Sequence, residues 1–285
     1  MQIFIFNKST EKIDAVYYEE GLSVTSGSYM VPAINCTVGE RVVWAVVNGP
    51  ENYTTSSSIT SLSSLKSATI RLENEALDFL TMSGFVEKSL SAGNDAVSVN
   101  VSRLVSAVVL ASVENKMSVP SYRDKVYITG AYLLNVPGIQ KLDGSILASG
   151  GESPVSDWYA WNAKQTSGTS ASLLTESISE TNIPYNAEHK VSHTFYTFSN
   201  DINALADGSS KSSTVLVVEC RINGTDCVYP VYLPPLAANH KYSVSLKLEH
   251  IGGDPTQPWK KIEFSNFTPS IQVNPWTDEA VSDTI

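Results

Sequence analysis

From Tyr242 to Glu249 apolar and polar residues alternate without a break. Tyr242, Val244, Leu246 and Leu248 point one way; Ser243, Ser245, Lys247 and Glu249 point the other. A side chain period of two gives a strand one dry face and one wet face, and gives a helix no coherent face at all. This strand sits inside Val228–Trp276, a stretch that reads as one strand, an Asn239-His240-Lys241-Tyr242 lead-in, the alternating strand, a long polar loop, and a last strand closing on Trp276. That is how a β-sandwich ends, and no catalytic motif lies on it.

A second feature fixes a register. Asn223-Gly224 is the strongest two-residue hairpin signal. Counting outward, Ile222 faces Thr225, Arg221 faces Asp226, and Cys220 faces Cys227. Opposite charges meet, as cross-strand neighbours should. Strand patterns also cover the start, where Ile3 and Ile5 alternate with Phe4 and Phe6. They continue over Leu80–Val86, Val97–Val109, Val126–Val136, His193–Phe198 and Ser213–Arg221. Met30–Val38 and Arg41–Val47 flank Gly39-Glu40, which reads as a tight turn. One segment differs. From Ser61 to Leu77, Leu62, Leu65, Ala68, Leu72 and Ala76 recur at helical spacing behind serines suited to N-caps, so one short helix is expected. With roughly 13 or 14 strands, the expected fold is all-β with one short helix, as two antiparallel sandwiches in tandem. A Gly-, Ser-, Asp- and Pro-rich stretch over 138–157 sets the expected boundary: an N-terminal domain over 1–143 and a C-terminal domain over 144–285.

Composition narrows the function. The net charge is -10, against the basic footprint that nucleic acid requires. No polybasic cluster addresses anionic lipid. No segment has 18 continuous apolar residues. The opening MQIFIFNKSTEKID has no basic region and no apolar run of signal-peptide length, so the chain reads as processed or truncated. No nucleotide-loop, dinucleotide or serine-hydrolase motif occurs, and no cofactor is expected.

His189 and His193 are four apart, but their surroundings read as a strand with no glutamate in the metalloprotease arrangement, so loop and strand positions are expected. Glu19-Glu20 reads as a solvated turn. Trp158, Tyr159 and Trp161 form an aromatic cluster. It can serve as a sugar-stacking platform or as a loop sealing the second sandwich, and the burial energy of aromatics favours the seal. Cys220 and Cys227 are candidates for a cross-hairpin disulfide in an oxidising compartment. They fall at a hydrogen-bonded pair, with α-carbons about 5.5 Å apart; such bonds generally suit the closer pairs better, so the bonded and free states both stay open. Cys36, inside an expected Ile34–Val38 strand, reads as a buried core thiol. Asn52-Tyr53-Thr54 and Asn223-Gly224-Thr225 support surface exposure more than glycosylation.

Several stretches, in order, resemble the fimbrillins, the major pilins of Bacteroidetes surface fimbriae (type V pili). They are INCTVGERVVWAVVNG (Ile34–Gly49), SLSSLKSATIRLENEALDFLTMSG (Ser61–Gly84), VSVNVSRLVSAVVLASVENK (Val97–Lys116, with Arg103 central) and DKVYITGAYLLNVPG (Asp124–Gly138). YPVYL, the Asn239-His240-Lys241-Tyr242 lead-in and IQVNPW complete the set. The specificity lies in their order and spacing.

The resemblance implies two transthyretin-like sandwiches. It implies export as a lipoprotein precursor, a fimbrial location at the outer membrane of a Gram-negative anaerobe, and a membrane link only through the precursor's lipid anchor. Partners would be other copies of the chain or related pilins, and a host glycan or protein receptor. Assembly in that family proceeds by strand donation after a protease removes the first strand. This chain opens at what looks like the family's second strand, so it corresponds to the matured form, with Ile3, Phe4, Ile5 and Phe6 beside the acceptor groove. The donor would be the tail after Trp276, Thr277–Ile285, offering Trp276, Ala280, Val281 and Ile285. Nine extended residues span about 30 Å, enough for one strand. The apolar residues of the tail do not alternate strictly, and Asp278-Glu279 suits a groove poorly. A shaft pilin is favoured over a tip adhesin, which would lack the extension.

Overall fold

A computed structural model describes residues 1–22, 27–146, 158–159, 161–168, 170–205, 212–262 and 270–275. The regular structure of the described residues is mainly β-strand, as expected. The first unit is a five-stranded sheet in the order β2-β1-β3-β5-β6. Its strands are β1 (Gln2–Asn7), β2 (Ile13–Tyr18), β3 (Gly39–Val47), β5 (Met82–Leu90) and β6 (Ser102–Arg103); β4 (Thr69–Arg71) stands apart from it. The strand β1 is apolar at every second residue on both faces. Phe4 and Phe6 therefore enter the main core with Trp44 and Val46, while Ile3 and Ile5 face the other side with Val43 and Ala45.

The second unit contains β7 (Val105–Asn115), β8 (Val126–Leu134), β9 (Val136–Pro137), β10 (Ile139–Lys141), β11 (Trp158–Tyr159), β12 (Thr175–Asn182) and β13 (Glu188–Phe198). It ends with β14 (Val215–Ile222), β15 (Thr225–Tyr232), β16 (His240–Leu248) and β17 (Ser270–Pro275). Two four-stranded sheets, β12-β8-β14-β15 and β13-β7-β16-β17, make a sandwich. The hairpin register is the expected one: Ile222 pairs with Thr225, Arg221 with Asp226 and Cys220 with Cys227. Asn223 and Gly224 both have positive φ, at 50° and 81°, as the turn requires. In β16 the four expected apolar residues are buried.

Five expectations need correction. Strands β7 and β8 precede residue 143, yet they pair with β13, β16, β12 and β14. Backbone pairing therefore divides the chain at residues 103–105, and β10 reaches back to pair with β4. The sandwich is also not purely antiparallel, because β16 runs parallel to β7. The helix expected over Ser61–Leu77 is only α1 (Leu62–Ser67), opened by a Ser61–Ser64 capping box. It stops because Thr69–Arg71 is drawn into the β4–β10 ladder, where Ile70 is buried. A four-residue helix, α2 (Ala171–Leu174), adds a second. Finally, residues 30–38 and 97–101 form no strand. The tight turn at Gly39-Glu40 is absent: both edges of β3 are taken by β1 and β5, and Gly39 begins the strand at φ 110°.

The passage between units is short and buried. Leu104 alone separates β6 from β7, and its amide donates to Thr81 O at 3.0 Å. The second unit holds a satisfied polar cluster of its own. Asn135 Nδ2 donates to Ser212 Oγ at 2.8 Å, Thr214 Oγ1 donates to Asn135 O at 3.1 Å, and Asn200 Nδ2 donates to Ser212 O and Thr214 Oγ1 at 3.0 Å. From β10, Gln140 accepts from the Ser199 amide at 3.3 Å. All six side chains are buried.

Candidate assembly surfaces

The face of the first sheet that carries Ile3, Ile5, Val43 and Ala45 is covered in an unusual way. Its cover consists of two extended segments, 28–38 and 96–101; Val31, Ile34 and Cys36 of the first and the alternate residues Val97, Val99 and Val101 of the second pack onto it. Among the described residues, residues 28–36 and 96–101 make no backbone-to-backbone hydrogen bond. Met30 is 92% exposed and Val38 59%. Side chains cover the face without a ladder.

Each segment is tied at a different edge of the sheet. On the β2 side, Asp14 Oδ2 accepts from the Thr37 amide, the Thr37 hydroxyl and Arg41 Nε, each at 2.9 Å. Partial burial pushes the Asp14 carboxyl up, and these donors more than offset it, so the group lies below its ordinary value. On the β5 side, a Cβ at Gly84 would lie 2.0 Å from Asn100 O, so only glycine lets segment 96–101 cross there. Hydrogen-bonded to β2 on one side and β3 on the other, β1 has no free edge. Ile3 and Ile5 therefore floor any groove at this face, and Phe4 and Phe6 lie on the opposite side, in the core.

The sandwich of the second unit has two lateral mouths. One is closed by β12 and β13: His193 Nδ1 lies 3.3 Å from Glu176 Oε2, and burial pulls the imidazole pKa down while Glu176 raises it. No group of three metal-ligating side chains exists among the described residues. The other mouth lies between β15 and β17. It is an open groove of about 480 Å³ lined by Leu205, Tyr232, Leu233, Pro234, Ile271 and Val273. Leu205 and Val273 are 57% and 46% exposed. Residues Trp276, Ala280, Val281 and Ile285 of the expected donor tail lie outside the described residues.

Trp158 and Trp161 meet edge to face at 5.6 Å between ring centres, and both are half-buried. Tyr159 packs against the main core and hydrogen-bonds Glu73 Oε2 at 2.5 Å. The expected cluster thus divides: Tyr159 seals, whereas the two tryptophans pack on each other. Cys220 and Cys227 are buried and unbonded, and Cys36 is half-buried outside any strand rather than a core thiol. Glu19 and Glu20 accept from Tyr17 and Tyr18 at the surface. Of the Asn52-Tyr53-Thr54 triplet, Tyr53 is buried and Asn52 caps a turn by accepting from the Thr54 amide at 3.0 Å.

No family model and no curated protein matches the sequence. Solved structures do. A protein from Bacteroides eggerthii, provisionally named a cell adhesion protein, aligns with a TM-score of 0.69 at 19% identity, over 96% of this chain and 88% of that one. A similarly named protein from Parabacteroides distasonis aligns at 0.69 and 16%, over 97% and 93%. A fimbrilin from Porphyromonas gingivalis aligns at 0.62 and 15%, over 96% and 90%. The chain has a fimbrillin-like fold.

Within this fimbrillin-like fold, Ile3 and Ile5 lie on the covered face and Phe4 and Phe6 in the main core, and sequence reasoning missed the cover. The alternation of Val97, Val99 and Val101 signalled an extended segment, yet nothing in it told a paired strand from an unpaired one. The β15–β17 mouth carried no signal, because its lining comes from four separate parts of the chain.

Proposed function

We propose that this chain is a structural subunit of a surface fimbria that polymerises by donor-strand exchange and supports adhesion. One observation carries the reading. An apolar sheet face is covered by two extended segments, 28–36 and 96–101, that make no backbone hydrogen bonds of their own. Unpaired extended backbone over an apolar floor is what β-augmentation needs: main-chain bonds supply affinity and alternate side chains fill the floor. An incoming strand would take over the contacts to Ile3, Ile5, Val43 and Ala45. In this reading the donor is Thr277–Ile285 of a neighbour, and a precursor lipid anchor brings the protein to the outer membrane.

Hydrogen exchange on monomer and fibre tests it. In the monomer, amides of 28–36 and 96–101 should exchange at loop rates while β1 and β3 stay protected. In the fibre the two segments should become protected. Unchanged exchange would remove this face as the acceptor. Deleting Thr277–Ile285 should leave a folded monomer that forms no fibres; persistent fibres would exclude that tail as donor.

A second reading, glycan binding by Trp158 and Trp161, is favoured by their meeting each other edge to face while, of the three, Tyr159 alone packs on the core. Replacing both by alanine should abolish binding to a glycan array with little change in melting temperature. A large stability loss would make them structural.

A further inference from the structure

The hairpin of β14 and β15 holds Cys220 and Cys227 directly opposite each other, both buried and both free. The Asn223-Gly224 turn fixes this register, and the Arg221 Nε–Asp226 Oδ1 pair at 2.8 Å holds the intervening rung. A hydrogen-bonded antiparallel pair keeps its α-carbons about 5.5 Å apart, inside the roughly 4.4–6.8 Å span of disulfides. Cys36 packs on the far face of the first sheet and does not compete. Burial pushes both thiols up, Cys220 well above its ordinary value.

We propose that Cys220 and Cys227 are a modification site: a dithiol that an oxidising disulfide, of a small molecule or of a protein, converts into a cross-strand bond locking β15 to β14. The Cys227 thiolate attacks one sulfur of the oxidant and expels its other half as a thiolate. Cys220, losing its proton, then attacks the Cys227 sulfur and releases the second half. The protein gives up two protons and two electrons, and the oxidant becomes two thiols. Closure belongs to folding, after the hairpin has formed and before Gly252 docks on Val228, because the finished core shields both sulfurs.

The consequence falls on an edge. The outer strand of its sheet is β15, whose backbone, among the described residues, pairs beyond β14 only at the bridge between Val228 and Gly253, with Tyr229 and Tyr232 donating their hydroxyls to His250 O and Trp259 O; it carries Pro230 where a donor is dispensable. A covalent rung keeps this edge from peeling away and templating aggregation. The inference does not depend on the assembly reading.

The test uses the full chain carrying Cys36→Ser, unfolded and refolded with or without oxidised glutathione. The expected product is lighter by two hydrogens and resists alkylation under denaturing conditions. It yields one cross-linked peptide containing both cysteines and melts several degrees above the reduced form, and dithiothreitol reverses every change. Two alkylatable thiols, or glutathione adducts without the internal bond, overturn the proposal. Cys220→Ser, which leaves Cys227 singly alkylatable, checks the assignment, and the mass readout stands even if that variant folds poorly.

Discussion

Gly84→Ala isolates how the apolar face of the first sheet is kept covered. The new Cβ would sit 2.0 Å from Asn100 O, 3.0 Å from Asn100 C and 3.1 Å from Val101 Cα. All three are backbone atoms, so no side chain can swing aside. Ordinary contact begins at 3.4 Å, so the segment must retreat by about 1.4 Å. Overpacking against backbone costs ~1–3 kcal/mol. Retreat also loosens Val97, Val99 and Val101, already only partly buried, from Ile3, Ile5, Val43 and Ala45. At roughly 2–4 °C per kcal/mol for a chain of this size, the melting temperature should fall by about 2–12 °C. Calorimetry with a hydrophobic dye checks this: melting falls and dye binding rises below the transition. If the variant polymerises, it should do so faster, because the cover has already lifted. Unchanged melting and dye binding would show that segment 96–101 does not rest on Gly84, and the account of this face would fail.

Gly130→Ala should act through an ion pair. Its Cβ would lie 2.4 Å from Glu219 Oε2, which holds Lys164 Nζ at 2.6 Å, so the carboxylate must turn away and release the loop carrying Lys164. The expected loss is ~1–2 kcal/mol by urea unfolding, smaller in a Lys164→Met background because the two effects share one contact. Glu75→Gln tests a buried carboxyl. Burial raises the Glu75 pKa above its ordinary 4.5, although it accepts from Thr81 N at 2.8 Å and Thr81 Oγ1 at 2.6 Å. A raised folded value stabilises below pH 4.5 and loses that contribution as pH rises through it. Urea midpoints should therefore shift in favour of the glutamine variant between pH 4.5 and neutrality, and a constant difference would contradict the assignment. Tyr53→Phe removes a buried hydroxyl with no partner among the described residues, and should leave stability unchanged or raise it by ~1 kcal/mol. A loss beyond ~1 kcal/mol would reveal a hidden partner.

How much was legible differs from element to element. The β14–β15 register could be read to the residue because a two-residue turn leaves no freedom. The buried face of β16 followed from period two alone. Its parallel partner β7 did not, since alternation names a face and not a neighbour. For the same reason 28–38 and 96–101 looked like strands: they are extended, but ladders depend on what lies alongside. The helix expectation failed at Ala68, where Thr69 and Ile70 found a partner far along the chain in β10. The composition shift near residue 143 marks a loop, while the sheets change hands at Leu104.

That single-residue passage governs how a long assembly would bend. A tandem of domains on an open linker flexes at its middle. Here the crossing is one buried leucine, and the β10–β4 ladder reaches back across it, flanked by the Leu72 amide on Gly138 O and the Leu142 amide on Ala68 O at 2.9 Å each, so bending in the middle would break buried backbone hydrogen bonds. Compliance is left to the joints between neighbouring molecules. A filament of such subunits would behave as jointed rods, each rod one whole molecule long, with its curvature set by the contacts between copies.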